Sequence, residues 1–335
     1  MKLLVTGGCG FIGSSFIRHI LTTYPEYRII NLDALTYAGN PENLKDVPGG
    51  ERYLFVKGNI GDSIVVREVM DSVDAVVHFA AESHVDRSIA DAQPFLTTNI
   101  MGTYVLLSAA RDLLVKKFIH ISTDEVYGSL TDEGKFTEET PLRPNSPYSA
   151  SKASGDLLVR SYHETFGLPS VIVRPSNNYG PYQFPEKFIP LMITNLLDDK
   201  PVPLYGKGMN VRDWLFVEDN CRAIDLILHK GRPGETYNVG GKAEMRNIQI
   251  AKEVLELMGK DEEYITYVTD RPGHDYRYSL DISKIGRELA WKPSVNIERG
   301  LAKTVQWYRT NEWWWRPLKE RLSSESQGFW GKKDK

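Results

Sequence analysis

The sequence has few cysteines, no long apolar run and no marked excess of charge, and each absence excludes a class of protein. Its 335 residues include two cysteines, too few for a disulfide framework or a metal cluster. No apolar run approaches the roughly 20 residues that span a bilayer. The formal net charge of −3 gives no reason to expect nucleic acid or a membrane as a partner. An apolar strand begins directly after Met1, which leaves no room for a signal sequence. We therefore expect a cytoplasmic protein without a metal.

The first segment that carries a function is this strand, residues 2–6, and the glycines after it. Gly7 allows a tight turn, Gly10 lets the backbone approach a pyrophosphate, and Gly13 lets the next helix pack closely on the sheet. Phosphates bind at the N-terminus of such a helix, where N–H groups are free. The predicted cofactor contacts here are Gly7, Gly10, Phe11, Ile12 and Gly13.

An acidic residue follows the second strand at the position expected for a ribose ligand. Residues 28–32 are apolar and end at Asp33, about 20 residues after the glycines. A carboxylate there can bind the ribose diol and disfavours a 2′-phosphate, so NAD is preferred over NADP. The alternative is an ordinary strand–helix turn that binds nothing.

Strand and helix patterns alternate through the first half of the chain, which predicts an α/β fold built on a Rossmann-type, doubly wound parallel sheet. Further strands are expected at residues 53–57, 75–79, 117–122 and 170–174, and long helices at about 94–114 and 146–166. Beyond them, shorter strands and clustered proline and glycine indicate a smaller, interleaved C-terminal α/β substrate domain. The expected divisions are a cofactor domain at 1–176 with a return segment at about 210–240, a substrate domain mainly at 177–322, and a polar, disordered tail at 323–335.

Tyr148 and Lys152 form a candidate acid–base pair. Residues four apart lie on one face of a helix, so the ammonium can reach the phenol region. A free tyrosine has a pKa of about 10 and is a poor base at neutral pH. We expect the Lys152 cation, with a positive nicotinamide ring, to favour the phenolate. The alternative is a solvated helix face.

A polar segment, Thr123-Asp124-Glu125, follows the fifth predicted strand. Ligands of open α/β sheets bind outside the carboxyl ends of the strands, so these groups are expected to face the crevice. Thr123 can bond the hydroxyl that Tyr148 deprotonates. Two neighbouring acids can be driven to different protonation states and then serve as acid and base. The alternative is an acidic pair that stabilises a helix N-terminus.

Another polar segment follows the fourth predicted strand. Ala80 and Ala81 are small and permit close approach of the cofactor, while Ser83 can bond a substrate hydroxyl. For His84 a structural hydrogen bond is the expected role.

Together these motifs resemble the extended short-chain dehydrogenases/reductases and, more narrowly, the dTDP-glucose 4,6-dehydratase family of NAD-dependent enzymes. The resemblance covers about residues 1–322. Its most discriminating element is the Asp124–Glu125 pair, which sugar-nucleotide epimerases of similar fold generally lack. Asn59 departs from the pattern because the family often has aspartate there, before Ile60 in the adenine pocket. A neutral amide can still bond adenine.

The resemblance implies a reaction and a set of contacts. Tyr148 takes the proton of the 4-hydroxyl while NAD takes the C4 hydride, Glu125 removes the C5 proton, and Asp124 protonates the departing 6-hydroxyl. The hydride then returns to C6, giving a 4-keto-6-deoxy sugar for deoxysugars such as rhamnose. A homodimer pairing the two long helices is also implied. The implied sugar-nucleotide contacts are Asn177, Lys187, Phe188, Pro203, Tyr205, Arg212, Asn247, Arg271 and His274.

Several alternatives stay open at this point. The nearest are a 4-epimerase and a dehydratase for a UDP- or GDP-sugar, and a more distant one is a non-catalytic NAD-binding protein. Arg212 has a structural alternative, an ion pair with Asp213 or Glu218. The run of tryptophans at 313–315 is expected to dock a helix end on the protein body.

Overall fold

The computed structural model describes residues 1–329, and a seven-stranded parallel sheet forms its centre. The strands are β1 (Lys2–Thr6), β2 (Arg28–Asp33), β3 (Tyr53–Lys57), β4 (Ala75–His78), β5 (Lys117–Ile121), β6 (Ser170–Pro175), β7 (Asn177–Tyr179), β8 (Val202–Tyr205), β9 (Val211–Phe216), β10 (Thr236–Val239), β11 (Glu244–Arg246) and β12 (Ile265–Val268). In the central sheet the order is β10-β6-β5-β4-β1-β2-β3, with every neighbouring pair parallel. The predicted fold class is confirmed.

Helices cover both faces of this sheet, as the buried apolar strands require. All four residues of β4 are buried, which is typical of a parallel strand enclosed on both sides. The helices are α1 (Phe11–Thr23), α2 (Ser63–Met70), α3 (Val85–Ala90), α4 (Gln93–Phe95), α5 (Thr103–Asp112), α6 (Pro147–Phe166), α7 (Phe188–Leu197), α8 (Val217–Lys230), α9 (Asn247–Met258), α10 (Ser283–Leu289), α11 (Ile297–Thr310) and α12 (Glu312–Phe329).

The second half of the chain contributes to both the central sheet and two smaller sheets. β10 pairs with β6, and α8 packs against α1. By contrast, β7, β9 and β11 form a three-stranded sheet, and β8 pairs with β12. These smaller sheets and α7, α9, α11 and α12 share their own hydrophobic core. The division into two domains near residue 176 stays a prediction.

The helix predicted as continuous at residues 94–114 is interrupted. α4 leads into a π-helical segment, Leu96–Gly102, before α5 begins. Asn99 in this segment is buried, and its Nδ2 donates to the Glu82 carbonyl at 3.0 Å and to Ser151 Oγ at 2.8 Å. The wider turn therefore accompanies an inward-facing polar side chain, which apolar periodicity does not signal.

Two predictions from the sequence concern the C-terminal part. Trp314 and Trp315, at the start of α12, are buried, as expected of rings docked on the body. α12 extends into the tail for which the sequence predicts disorder, as far as Phe329, and that prediction stays untested; 330–335 lie outside the described residues. Within residues 1–329, no helix is both long and apolar enough to cross a membrane.

A buried ion pair joins α6 to β6. Arg174 Nε donates to Asp156 Oδ2 at 2.8 Å, and its Nη1 donates to the Tyr127 hydroxyl at 2.8 Å. Burial alone would raise the pKa of Asp156, but the Arg174 charge acts together with His120 and Ser122, and their combined effect lowers that pKa. The contribution of Asp156 is therefore present above its unfolded pKa of about 3.9 and is lost as the pH falls through the lower folded value.

Replacing Asp156 with Ala is expected to lower the free energy of unfolding by about 3–5 kcal/mol, because it leaves the buried Arg174 charge uncompensated. The matched control is Glu164→Ala on the same helix, which breaks an exposed pair with Arg160 and should cost less than about 1 kcal/mol. Urea unfolding followed by circular dichroism measures both. Equal losses in the two variants would contradict this account.

Candidate active site

The glycine turn after β1 has the shape that its sequence predicts. Gly7 has φ +72°, and a Cβ there would lie 2.5 Å from the Ala80 nitrogen. A Cβ on Gly13 would lie 2.4 Å from the Gly7 carbonyl oxygen, so α1 can begin this close to the turn only with glycine. Gly10 is the N-cap of α1, and no side chain of the described residues caps that helix. Its first N–H groups are thus left for an anionic ligand.

Asp33 lies at the carboxyl end of β2, beside this turn. Its Oδ2 accepts from the Cys9 N–H and its Oδ1 from the Leu35 N–H, both at 2.8 Å. Burial raises the pKa of Asp33, and the two N–H groups partly offset that effect. Further along the same edge, Asn59 Oδ1 accepts from Gly61 N at 2.8 Å, which leaves its Nδ2 for another acceptor.

One cavity of about 330 Å³ joins the predicted cofactor residues to the predicted catalytic residues. It opens along the carboxyl ends of the central strands, where ligands of such sheets bind. The predicted residues that line it are Gly7, Gly10, Phe11, Ile12, Gly13, Asp33, Asn59, Ile60, Ala80, Ala81, Ser83, Thr123, Asp124, Glu125, Tyr148, Lys152, Asn177 and Lys187.

Tyr148 lies in the first turn of α6, whose start is fixed locally. Ser146 and Ser149 form a capping box, and Pro147 occupies the first helical position. The expectation that Lys152, together with a positive nicotinamide ring, favours the Tyr148 phenolate stays a prediction. Burial and then the Glu125 charge raise the pKa of Tyr148, while a hydrogen bond from Thr123 acts in the opposite direction.

Lys152 is one turn further along α6 and is itself perturbed. Its Nζ donates to the Ile121 carbonyl at 2.7 Å, and burial lowers its pKa to about 8. A buried cation that faces a carbonyl is weakly compensated, so Lys152 gives up its proton more readily than a surface lysine.

Asp124 and Glu125 differ in electrostatic surroundings. Burial and the Glu125 charge raise the pKa of Asp124 well above its ordinary value. Burial also raises the pKa of Glu125, but the Arg271 and Arg212 charges partly offset that rise. The two carboxyls are thus driven towards different protonation states: Asp124 keeps its proton more readily and can donate it, while Glu125 is more readily ionised and can accept one.

Thr123 connects these acids to Tyr148. Its Oγ1 accepts from the Glu125 N–H at 3.3 Å as the N-cap of a short 3₁₀ turn, Asp124–Tyr127. It also lies 3.3 Å from Asp124 Oδ1. Asp124 Oδ2 is buried and has no hydrogen-bond partner within the described part of the chain. A buried polar atom of this kind is expected to face a ligand.

Arg212 is fixed by backbone carbonyls. Its Nη2 donates to Asp275 O at 2.9 Å and its Nη1 to Val211 O at 2.8 Å. The Asp213 carboxylate instead accepts from the N–H groups of Gly241 and Ala243. The structure thus favours neither ion pair that the sequence left open for Arg212.

Arg271 and Tyr205 meet at Asp86. Asp86 Oδ1 lies 3.5 Å from Arg271 Nη1, and Asp86 Oδ2 accepts from the Tyr205 hydroxyl at 3.2 Å. The His274 ring packs edge-on against Tyr205 and its Nδ1 lies 2.6 Å from Asp270 Oδ1. These groups form a polar cluster between α3 and the smaller sheets.

The other predicted substrate contacts are divided between the cavity and this neighbourhood. Lys187 Nζ donates to Ser83 O at 3.0 Å inside the cavity, which fixes both residues. Phe188 stacks on Trp214, with ring centroids 6.0 Å apart. The predicted contacts that do not line the cavity are Phe188, Pro203, Tyr205, Arg212, Asn247, Arg271 and His274.

His84 has the structural role expected of it, since its Nδ1 accepts from the Arg87 N–H at the start of α3. The sequence reasoning missed Tyr37 and Asp86. Tyr37 lines the cavity and its hydroxyl lies 3.4 Å from Ser83 Oγ. The partners that place them, Ser83 for Tyr37 and Arg271 and Tyr205 for Asp86, are distant in sequence.

Comparisons with known proteins agree with this site. A family model described as GDP-mannose 4,6 dehydratase matches residues 4–304. The chain is 50% identical over 341 residues to dTDP-glucose 4,6-dehydratase 1 of Escherichia coli, covering 94% of each chain. It is 52% identical over 323 residues to dTDP-glucose 4,6-dehydratase of Streptomyces niveus, covering 95% of this chain and 96% of the relative. The chain belongs to the dTDP-glucose 4,6-dehydratase family.

Among the solved structures, a dehydratase is more similar to this chain than an epimerase is. DesIV, a dTDP-glucose 4,6-dehydratase from Streptomyces venezuelae crystallised with NAD and TYD, superposes with a TM-score of 0.93 at 54% identity, covering 95% of this chain and all of its own. UDP-glucuronic acid 4-epimerase from Bacillus cereus superposes at 0.88 and 32%, covering 92% and 99%. The family model carries a GDP-mannose name, yet the individual relatives at about half identity carry the dTDP-glucose name. The similarity to the individual relatives is the more specific of the two, so it determines the family.

Proposed function

We propose that this chain is an NAD-dependent dTDP-glucose 4,6-dehydratase, a hydro-lyase that forms dTDP-4-dehydro-6-deoxy-glucose for deoxysugar synthesis. The observation that carries the proposal is the single cavity that joins the glycine turn, Tyr148 with Lys152, and the Asp124–Glu125 pair. An epimerase needs a cofactor site and one base. A second and a third titratable group beside them suit an elimination, which moves two further protons.

The residues present fit NAD. The turn at Gly7 and Gly13 has no room for side chains, and the uncapped start of α1 provides N–H groups for a pyrophosphate. Asp33 lies where the adenosine ribose would bind, and Asn59 and Ile60 line the same cavity further along. When bound, NAD supplies a hydride acceptor at C4 and returns the hydride at C6.

Tyr148 accepts the proton of the sugar 4-hydroxyl, and Thr123 orients that hydroxyl. Oxidation at C4 makes the C5 proton acidic, which an unactivated hexose does not offer. Lys152 contributes positive charge to this site, and the Ile121 carbonyl fixes the position of its Nζ. General acid–base groups of this kind contribute about 10²–10⁴ in rate.

Glu125 then removes the C5 proton, and Asp124 gives a proton to the departing 6-hydroxyl. Their raised and differently balanced pKa values support this division of roles. On the substrate side, Arg212 and Arg271 provide charge for the diphosphate, with Lys187 and Asn177 at the cavity wall. The remaining nucleotide contacts proposed are Ser83, Phe188, Pro203, Tyr205, Asn247 and His274.

The test is incubation of the purified protein with dTDP-, UDP- and GDP-glucose and with GDP-mannose, followed by mass spectrometry. Loss of one water from dTDP-glucose in preference to the others is expected. A product of unchanged mass but altered sugar configuration would indicate an epimerase. Tight NAD binding without turnover of any sugar nucleotide would indicate a binding protein.

Replacing Asp33 with Ala is expected to weaken NAD binding about 10- to 100-fold, since hydrogen bonds to a charged group are worth about 1.5–3 kcal/mol. Asp33→Asn, which keeps an acceptor but loses the charge, should mainly relax the discrimination against NADP. Isothermal titration with both cofactors measures this. Equal affinity of the wild type for NAD and NADP would place Asp33 away from the ribose.

The protein is a homodimer in this proposal, joined through α5, α6 and the π-helical segment. Four apolar side chains on this surface, Leu96, Met101, Tyr104 and Leu157, are 45–59% exposed. Large apolar side chains exposed on neighbouring helices are typical of an interface, and a second copy would bury them. Light scattering should give a dimer mass, and Leu157→Glu a monomer. A monomeric wild type at micromolar concentration would contradict the proposal.

We also place the enzyme in the cytoplasm. Cys9 and Cys221 are both free and buried, which suits a reducing compartment. Fractionation of the source cells with an antibody to the protein would test this location.

A further inference from the structure

Three consecutive tryptophans begin α12, beyond the residues that the family model matches. Trp314 and Trp315 are about equally buried, at 2% and 1% exposure, and each donates one indole hydrogen bond. Trp315 Nε1 donates to the Tyr308 carbonyl at 2.9 Å, which joins α12 to α11. Trp314 Nε1 instead donates to Asn43 Oδ1 at 2.7 Å, which lies in the other half of the chain.

Asn43 continues this connection into the cofactor site. It is 1% exposed, and its Nδ2 donates to the Cys9 carbonyl at 2.8 Å. Cys9 lies inside the glycine turn, and its N–H donates to Asp33 Oδ2. Two side-chain hydrogen bonds therefore link α12 to Cys9, the residue whose N–H bonds Asp33.

A second connection reaches the segment between β2 and β3. The Arg321 guanidinium, also on α12, donates to the Tyr37 carbonyl. The Tyr37 ring lies at the cavity and packs edge-on against Phe184, with centroids 5.7 Å apart. α12 is thus connected to the cofactor site at two places: through Asn43 to the glycine turn, and through Tyr37 to the cavity wall.

We propose that Trp314 is a positioning residue for the dinucleotide: through Asn43 it fixes Cys9, whose N–H in turn bonds Asp33, and so slows the release of NAD. This inference rests on the proposed function, in which the hydride taken from C4 must return to C6 of the same sugar. Reduced cofactor that dissociates between the two transfers would leave an oxidised intermediate behind. Slow cofactor release is therefore a requirement of this chemistry, and α12 provides one means to meet it.

The physical reason is that the link is buried at every point. Without the indole N–H, Asn43 Oδ1 would be left in the interior without a donor, and a buried polar atom left unpaired is costly. The segment around Asn43 would then move towards water and carry the Cys9 peptide with it. The loss is expected at the cofactor site, and not in the acid–base groups at the far end of the cavity.

The experiment compares Trp314→Phe with Trp315→Phe in the full-length protein loaded with NAD. Each change removes one buried indole donor on the same helix and keeps an aromatic ring. Exchange of bound NAD against excess isotopically labelled NAD is expected to be about tenfold faster in Trp314→Phe, and within about twofold of wild type in Trp315→Phe. Thermal unfolding should shift by similar amounts in both, because a structural loss is common to them.

A second variant tests the other bond. Asn43→Asp keeps an acceptor for Trp314 but loses the donor to the Cys9 carbonyl, and it too should release NAD faster. In the cofactor-free protein, amide hydrogen exchange at Cys9 and Leu35 should be faster in Trp314→Phe than in Trp315→Phe. Equal NAD exchange in the two tryptophan variants would overturn the proposal, as would unchanged amide exchange.

These readouts are separate from the proposed reaction. A wild-type protein that retains NAD but does not dehydrate dTDP-glucose would reject the proposed function, while the comparison of the two tryptophan variants would still decide the role of Trp314. Rapid NAD exchange by the wild type itself would overturn the positioning role, whatever the activity.

Discussion

Glu125→Gln is expected to lower the turnover of dTDP-glucose by about 10²–10⁴, the usual contribution of a general base. The amide keeps the shape of the side chain but cannot take the C5 proton. Oxidation at C4 depends on Tyr148 and Lys152, which are untouched, so it should still occur. The variant should therefore accumulate bound NADH and a 4-keto sugar in a single-turnover mixture.

The measurement is absorbance of the reduced nicotinamide after mixing enzyme and substrate, together with exchange of the C5 hydrogen in deuterated solvent. Elimination and C5 hydrogen exchange both require removal of the C5 proton, so exchange should slow in parallel with turnover. Glu139→Gln is the control, since that glutamate is exposed and lies outside the cavity. Near-normal dehydration by Glu125→Gln would mean that Asp124 or another group is the base at C5.

Tyr148→Phe is expected to lower the turnover of dTDP-glucose by a similar or larger factor. Unlike Glu125→Gln, it should not accumulate NADH. Without the phenol no group accepts the proton of the 4-hydroxyl, so oxidation at C4 fails and no NADH should appear. The pKa of Tyr148 is raised by burial and by the Glu125 charge, which makes its ionisation dependent on positive charge bound nearby. We therefore expect NAD binding to lower that pKa in the wild type.

Ultraviolet difference titration of the wild type, with and without NAD, measures the phenol pKa, and Tyr148→Phe identifies the signal. Tyr162→Phe is the matched control: it lies on the same helix, is also buried, and its hydroxyl lies 2.7 Å from Ser108 Oγ, away from the cavity. Accumulation of NADH by Tyr148→Phe would show that another group accepts the hydroxyl proton.

Features that depend on short stretches of chain were predictable. The glycine turn needs only the spacing of Gly7 and Gly13, and the start of α6 needs only Ser146 and its neighbours. The central sheet followed from the alternation of apolar strands with helical periodicity. The cavity that joins Asp33 to Tyr148 followed from the rule that ligands bind at the carboxyl ends of such strands.

Features that depend on distant pairs were not predictable. Asp86 gains its role from Arg271 and Tyr205, which no local pattern connects to it. The spacing of Tyr148 and Lys152 shows proximity along a helix, whereas the burial and the Glu125 charge that raise the pKa of Tyr148 depend on the packed site. The π-helical segment around Asn99 was missed for the same reason, since its polar contacts come from other elements.

The position of β10 has a consequence for how the protein is made. This strand occupies the edge of the central sheet beside β6, yet β7, β8 and β9 leave the ribosome between the two. Until residues 236–239 are synthesised, β6 presents an unpaired edge, which is the kind of surface on which nascent chains aggregate. A fragment that ends near residue 176 would carry every cofactor contact of the first half and still keep that open edge. Such a fragment is expected to collect in inclusion bodies.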